Sequence, residues 1–222
     1  MAQPATIERM SLLLHPTEVR VLACLIEKEI ATPEYYPLTL NSLMLACNQK
    51  SNRDPVTSLN EDTVSQALEA LRSKKLAVER TGGGSRVPKY LHRFTEVFNV
   101  GRREIALLCE LMLRGPQTPG ELRSRGERLH SFTDVQEVET CLEGLMQFDA
   151  QPLVACLPRQ HGTKESRYAH LLAGEPPAEA EEPASRSGSG GRIAVLEAEV
   201  AELRDRVERL EQQFSDFRRS FE

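Results

Sequence analysis

Thr63-Val64-Ser65-Gln66-Ala67-Leu68-Glu69-Ala70-Leu71-Arg72-Ser73-Lys74-Lys75-Leu76-Ala77-Val78-Glu79-Arg80 changes its period partway along. Val64, Ala67, Leu68 and Leu71 recur three and four residues apart and therefore line one face of a helix, a pattern that stops near Lys75. Asn60 suits the N-cap, and Glu61 and Asp62 fall in the first turn, where the helix dipole favours carboxylates. Residues 76–80 then read as a strand. A second strand is predicted over 87–94, after the turn Gly82-Gly83-Gly84-Ser85, which makes a hairpin. Upstream, Pro16 opens a helix in which Val19, Leu22 and Ile26 keep helical spacing through Ile30, before Thr32, Pro33 and Pro37 break it. A second helix is predicted over about 39–47, followed by a polar loop over 48–59.

Residues 101–173 repeat this order. Ile105, Leu108 and Met112 mark a helix ended by Gly115-Pro116, and Thr118-Pro119-Gly120-Glu121 is a capping box. Thr133-Asp134-Val135-Gln136 reads as another, opening a helix with Val138, Cys141, Leu142 and Leu145 inward, and residues 153–157 and 166–172 supply a second hairpin. Val64, Ala67, Leu68, Glu69 and Leu71 match Val138, Cys141, Leu142, Glu143 and Leu145 at a constant spacing of 74 residues; Lys89-Tyr90-Leu91-His92 matches Arg167-Tyr168-Ala169-His170 at 78. An internal duplication follows. Three helices and a hairpin, taken twice, are the order of a winged helix-turn-helix domain, and the stretch 63–80 resembles the third helix and first wing strand of bacterial winged-helix regulators. The expected fold is mainly α with small β-hairpin wings (α+β): two tandem winged helix-turn-helix domains, residues 1–98 and 99–173, plus a C-terminal coiled-coil helix.

Residues 174–191 are rich in Pro, Glu, Ser, Ala and Gly, too polar to bury a core, and read as a disordered linker. Residues 192–222 carry a heptad seam through Ile193, Leu196, Val200, Leu203, Val207 and Leu210, with Ile/Val at a and Leu at d, the combination that favours a parallel dimer. The flanking pairs Arg192–Glu197, Glu199–Arg204 and Arg206–Glu211 are all attractive in that register. A homodimer is expected.

Composition excludes several classes. The 222 residues carry 28 Lys and Arg against 33 Asp and Glu, a net charge of −5. The longest apolar run, residues 21–26, is far short of the ~20 residues of a membrane span. No basic stretch followed by an apolar one opens the chain, so a cytoplasmic protein with no membrane contact is expected. Five cysteines form no CxxC pair, five histidines stand far apart without an HExxH motif, and no phosphate-loop motif occurs. The reading is therefore not an enzyme, with no metal ligands and no cofactor.

Charge is unevenly placed. Residues 1–173 are neutral, yet residues 72–93 hold seven basic side chains against Glu79 alone, a local charge of +6. A winged helix docks its third helix in the major groove while its wing touches the backbone. On that geometry Ser65 and Gln66 face base edges, and Lys74, Lys75, Arg80, Arg86, Lys89 and Arg93 face phosphates of double-stranded DNA. Two features oppose it: Glu61 and Asp62 at the start of the third helix, and the corresponding helix of the second repeat, which has Asp134, Glu137, Glu139 and Glu143 and no basic residue. That repeat reads as a site for a protein partner.

Four stretches carry a longer resemblance: Thr32-Pro33-Glu34-Tyr35-Tyr36-Pro37-Leu38-Thr39-Leu40-Asn41, the run from Ala46-Cys47-Asn48-Gln49 to Asp54-Pro55-Val56, the run from Leu113-Arg114-Gly115-Pro116 to Ser124-Arg125, and Glu165-Ser166-Arg167-Tyr168-Ala169-His170-Leu171. Together they resemble the YceH family over about 14–172. The resemblance implies a tandem winged-helix fold and no established enzyme activity or cofactor. It also draws attention to the loop 48–59, longer than the 3–4-residue turn of a simple helix-turn-helix. Asn48, Gln49, Asn52 and Arg53 there form either a recognition surface or a turn that satisfies its own backbone. Two functions follow: a non-enzymatic DNA-binding or transcription-associated regulator acting as a dimer through the basic first wing, or a protein–protein adaptor whose domains dock without DNA contact.

Overall fold

The computed structural model describes residues 12–82, 85–148, 151–159 and 165–176. The linker beyond residue 176, the coiled-coil helix and its seam from Ile193 to Leu210 lie outside the described residues, as does the side chain of Arg86. Among the described residues there are seven α-helices and two antiparallel hairpins, an α+β fold within one compact unit that ends at Pro176. The first repeat holds α1 (Pro16–Ala31), α2 (Leu40–Cys47), α3 (Glu61–Ser73), β1 (Ala77–Gly82) and β2 (Ser85–His92). A short α4 (Phe94–Phe98) leads to α5 (Arg102–Arg114), α6 (Pro119–Gly126), α7 (Val135–Met146), β3 (Val154–Cys156) and β4 (Tyr168–His170). No helix among them is long and apolar enough to cross a membrane.

The first and fifth helices make the centre. α1 is buried from Glu18 to Glu27 and α5 from Ile105 to Leu113, all round rather than along a stripe, because each packs against its own repeat on one side and against the other helix on the opposite side. α3 and α7 keep the one-sided pattern expected of them, with Val64, Ala67, Leu68 and Leu71 and then Val138, Cys141, Leu142 and Leu145 buried.

The duplication is visible in backbone bonds. Leu38, just before α2, exchanges N–H···O bonds of 3.1 and 2.7 Å with Tyr90 of β2. Gln117, just before α6, does the same with Tyr168 of β4, at 3.0 and 2.8 Å. Thr39 and Thr118 then cap the helices that follow, Thr118 through the capping box with Glu121.

Two local expectations change. The second strand ends at His92 instead of running to Phe94: Phe94 opens α4, in which Phe94 and Phe98 are buried with ring centroids 4.5 Å apart, a gain that extended backbone would forfeit. At α7 the N-cap is Asp134, not Thr133. The Asp134 carboxylate accepts from Glu137 N–H at 2.8 Å, and Thr133 donates both its N–H and hydroxyl to the Glu137 carboxylate at 2.9 Å. A carboxylate at the N-cap outcompetes a hydroxyl one residue earlier.

Candidate functional site

The basic edge of the first repeat begins where α3 stops. Lys75 has φ +61°, its N–H bonds to Arg72 O at 2.9 Å, and Leu76 N–H reaches back to Leu71 O at 2.8 Å. This is the Schellman termination, in which glycine usually takes the left-handed position because a Cβ there costs about 1 kcal/mol. Here a lysine occupies it and stands exposed. Five residues on, Arg80 pairs directly with Lys89 across β1 and β2, one cation opposite another in the ladder. Like charges in facing positions destabilise a hairpin unless an anion lies between them.

The basic side chains of this edge fall into two groups. Arg72 is paired with Glu69 and, at 3.1 Å, with Glu79; Lys74 Nζ lies 2.5 Å from Glu18 and donates to Leu13 O; Arg93 meets Glu96 at 2.7 Å. Lys75, Arg80 and Lys89 have no carboxylate partner among the described residues. On α3 itself Ser65 is half-buried and Gln66 exposed, and the outward positions beside Gln66 are Glu61, Asp62 and Glu69.

Of the loop 48–59, Lys50, Ser51, Asp54, Pro55, Val56 and Ser58 are exposed, whereas Asn48, Gln49, Asn52 and Arg53 bond back to the protein itself. Arg53 is 5% exposed and grips Glu27 with both terminal nitrogens, one at 3.0 Å, while also donating to Ala46 O at 2.8 and 3.1 Å and to Gln49 Oε1 at 3.0 Å. Its guanidinium is saturated and offers nothing to a surface. Asn48 holds the loop's far end, donating to Leu59 O and accepting from Leu59 N–H, both at 2.7 Å. Asn52, at φ +58°, accepts from Arg114 of α5. Asp54 N–H donates to Leu113 O at 3.0 Å, and Arg20 of α1 donates to Pro55 O at 2.8 Å. The loop is a strap across α1, α2 and α5.

Beneath the strap lies an ionic cluster that joins the repeats. Glu27 of α1 and Glu110 of α5 are both fully buried, and Arg128 bridges them at 2.5 and 3.0 Å. Arg114 adds a contact of 3.2 Å to Glu110. Burial alone would raise the Glu27 carboxyl; hydrogen bonding and charge from Arg53, with further charge from Arg128 and Lys28, more than reverse it and hold it below the usual carboxylate range. The cost of burying such charges is offset by these pairings, although Glu110 Oε2 and Arg114 Nε face each other as a charge contact without a hydrogen bond among the described residues. The remaining arginines of this region are also engaged: Arg125 with Glu121 and Gln117, and Arg123 with Thr133 O.

The histidines that end β2 and β4 have different surroundings. His92 Nε2 lies 2.6 Å from Glu29, its Nδ1 accepts from Phe94 N–H at 3.2 Å, and its own N–H donates to the Tyr36 hydroxyl. These partners define the tautomer with the proton on Nε2. His170 Nδ1 is buried with no partner among the described residues, and burial pushes the ring's pKa down to about 4.

Comparison with known proteins adds a family. A profile described as "Protein of unknown function, DUF480" matches residues 14–163. The chain belongs to this family. Its relatives include a UPF0502 protein of Geobacter sulfurreducens, 54% identical over 221 residues, covering 96% of this chain and all of the relative. Another, from Koribacter versatilis, is 55% identical over 199 residues, covering 87% of this chain and 92% of the relative. Of the stretches singled out in the sequence, 32–41, 46–56 and 113–125 lie inside the DUF480 match. The last two meet in the fold, where Asn52 contacts Arg114 and Asp54 bonds to Leu113.

Proposed function

We propose that the chain is a non-enzymatic, duplex-DNA-binding regulatory protein, built of two winged helix-turn-helix repeats, that binds through the basic edge of the first. The order α1-α2-α3-β1-β2, with Leu38 pairing to Tyr90 as the short third strand position of the wing, supports the winged-helix reading for the first repeat. The equivalent antiparallel pairing of Gln117 with Tyr168 supports it for the second. One observation carries the DNA reading: Lys75, Arg80 and Lys89 stand at the edge without carboxylate partners among the described residues, two of them facing each other in the ladder. A polyanion relieves that repulsion and adds salt-dependent affinity. The heptad seam 193–210 would hold two such edges together and raise avidity through effective concentration. The reading uses no cofactor and sets the protein in the cytoplasm.

The test is fluorescence anisotropy with a mixed-sequence duplex, titrated across salt, for the wild type and for Lys75→Glu/Arg80→Glu/Lys89→Glu. Three phosphate contacts per edge predict an affinity that falls roughly 40-fold between about 50 and 200 mM salt for one edge, and roughly 2,000-fold when two edges bind together. The variant should melt like the wild type and lose binding. Absence of binding by the folded wild-type chain at low salt rejects the reading. It would favour the second one, an adaptor that docks proteins through the second repeat, which rests on α7: Glu139 and Glu143 with no basic residue in the helix.

A further inference from the structure

We infer, building on the DNA reading above, that the first repeat holds duplex DNA by its phosphates through the wing edge, with α3 kept out of the major groove, and so binds without choosing sequence. Three features combine. Among the described cations of residues 72–93, those able to meet phosphate without first breaking an ion pair are Lys75, Arg80 and Lys89, none of them within α3 itself. The outward face of α3 carries Glu61, Asp62 and Glu69, and its basic residue Arg72 is already neutralised by Glu69 and Glu79. A helix entering the groove would press these carboxylates between two lines of phosphates, a like-charge contact that worsens as water is excluded.

Base reading is also thinly provided. Ser65 is half-buried, which leaves Gln66 as the one exposed amide among the candidate readers. One bidentate amide–adenine contact discriminates a single base pair, too little to define a site against competing duplex. Lys75 fits the same picture. A lysine at a left-handed position that favours glycine places its charge at the junction of helix and wing, five residues before Arg80 of the facing pair Arg80 and Lys89.

The experiment is a pair of chemical footprints on the wild-type full chain bound to a mixed-sequence duplex, with competition among unrelated duplexes of equal length. Phosphate ethylation should interfere with binding. Methylation of guanine N7, which lies in the major groove, should neither interfere nor be blocked. Unrelated duplexes should compete within about threefold of one another, and Gln66→Ala should change affinity by less than about twofold. The slope of log affinity against log salt should be about −2.7 for each edge engaged, for three phosphates neutralised, and so about −5.4 when both edges of a dimer bind. Protection of N7, or a loss of about tenfold or more for Gln66→Ala on one preferred sequence, overturns this inference and leaves the DNA reading standing. Failure of the wild-type chain to bind any duplex at low salt removes both.

Discussion

The two arginine- and lysine-rich regions of this chain, residues 72–93 and the group of Arg53 with residues 114–128, look alike in sequence and have opposite fates. In the second, Arg53, Arg114 and Arg128 close around Glu27 and Glu110 under the strap, and Arg123 and Arg125 are engaged by neighbouring oxygens. In the first, half the described cations are paired and Lys75, Arg80 and Lys89 are not. A basic residue near another is thus no guide to availability. What decides is whether the fold brings a carboxylate to it, from three or four residues away as for Arg72, Arg93 and Arg125 or from a buried position on a distant helix as for Arg53 and Arg128.

The sharpest way to break this comparison is Glu27→Ala. It leaves Arg53 and half of Arg128's contacts without their anion in the interior, and should cost about 3–5 kcal/mol in a urea unfolding experiment. A loss below about 1 kcal/mol would mean that the cluster is solvated and the contrast with the basic edge is false. The histidines compare the repeats directly. His170 has a folded pKa near 4, below its unfolded value of about 6.5, so the unfolded chain binds the extra proton as pH falls between those values. The neutral form's contribution is complete above about pH 6.5 and is lost on acidification toward pH 4. Allowing for the ring's partial exposure, the loss should be about 2 kcal/mol. His170→Leu should flatten this part of the stability profile; an unchanged slope would place the titration elsewhere.

Lys75→Gly sets stability against binding at one position. Relief of the left-handed backbone should stabilise the fold by up to about 1 kcal/mol, while duplex affinity falls severalfold for want of one cation. Stabilisation without weaker binding would remove Lys75 from the interface. The smallest effect is expected for Glu69→Ala, whose pair with Arg72 is exposed: about 0.5 kcal/mol or less, read by the same unfolding experiment. A loss approaching that of Glu27→Ala would erase the distinction between surface and buried pairs.

What the sequence determined by itself is local or periodic. Asn60, Thr39 and Thr118 cap helices because capping is a contact between residues three apart, and the inward faces of α3 and α7 follow from the 3.6-residue period. The repeat was legible for the same reason: equal spacings of like residues produce equal elements. The His15 cap of α1 went unseen because histidine is an unusual capping residue, although Glu18 three places on was the signal for its box. Tertiary structure alone decided the rest. Glu27 meets Arg53 across 26 residues. Nothing local marks Arg53 as interior while Arg80 stays outside, since both are arginines in polar surroundings. The packing of α1 against α5 decides it, by burying two carboxylates whose charge must be matched from wherever the chain can bring an arginine.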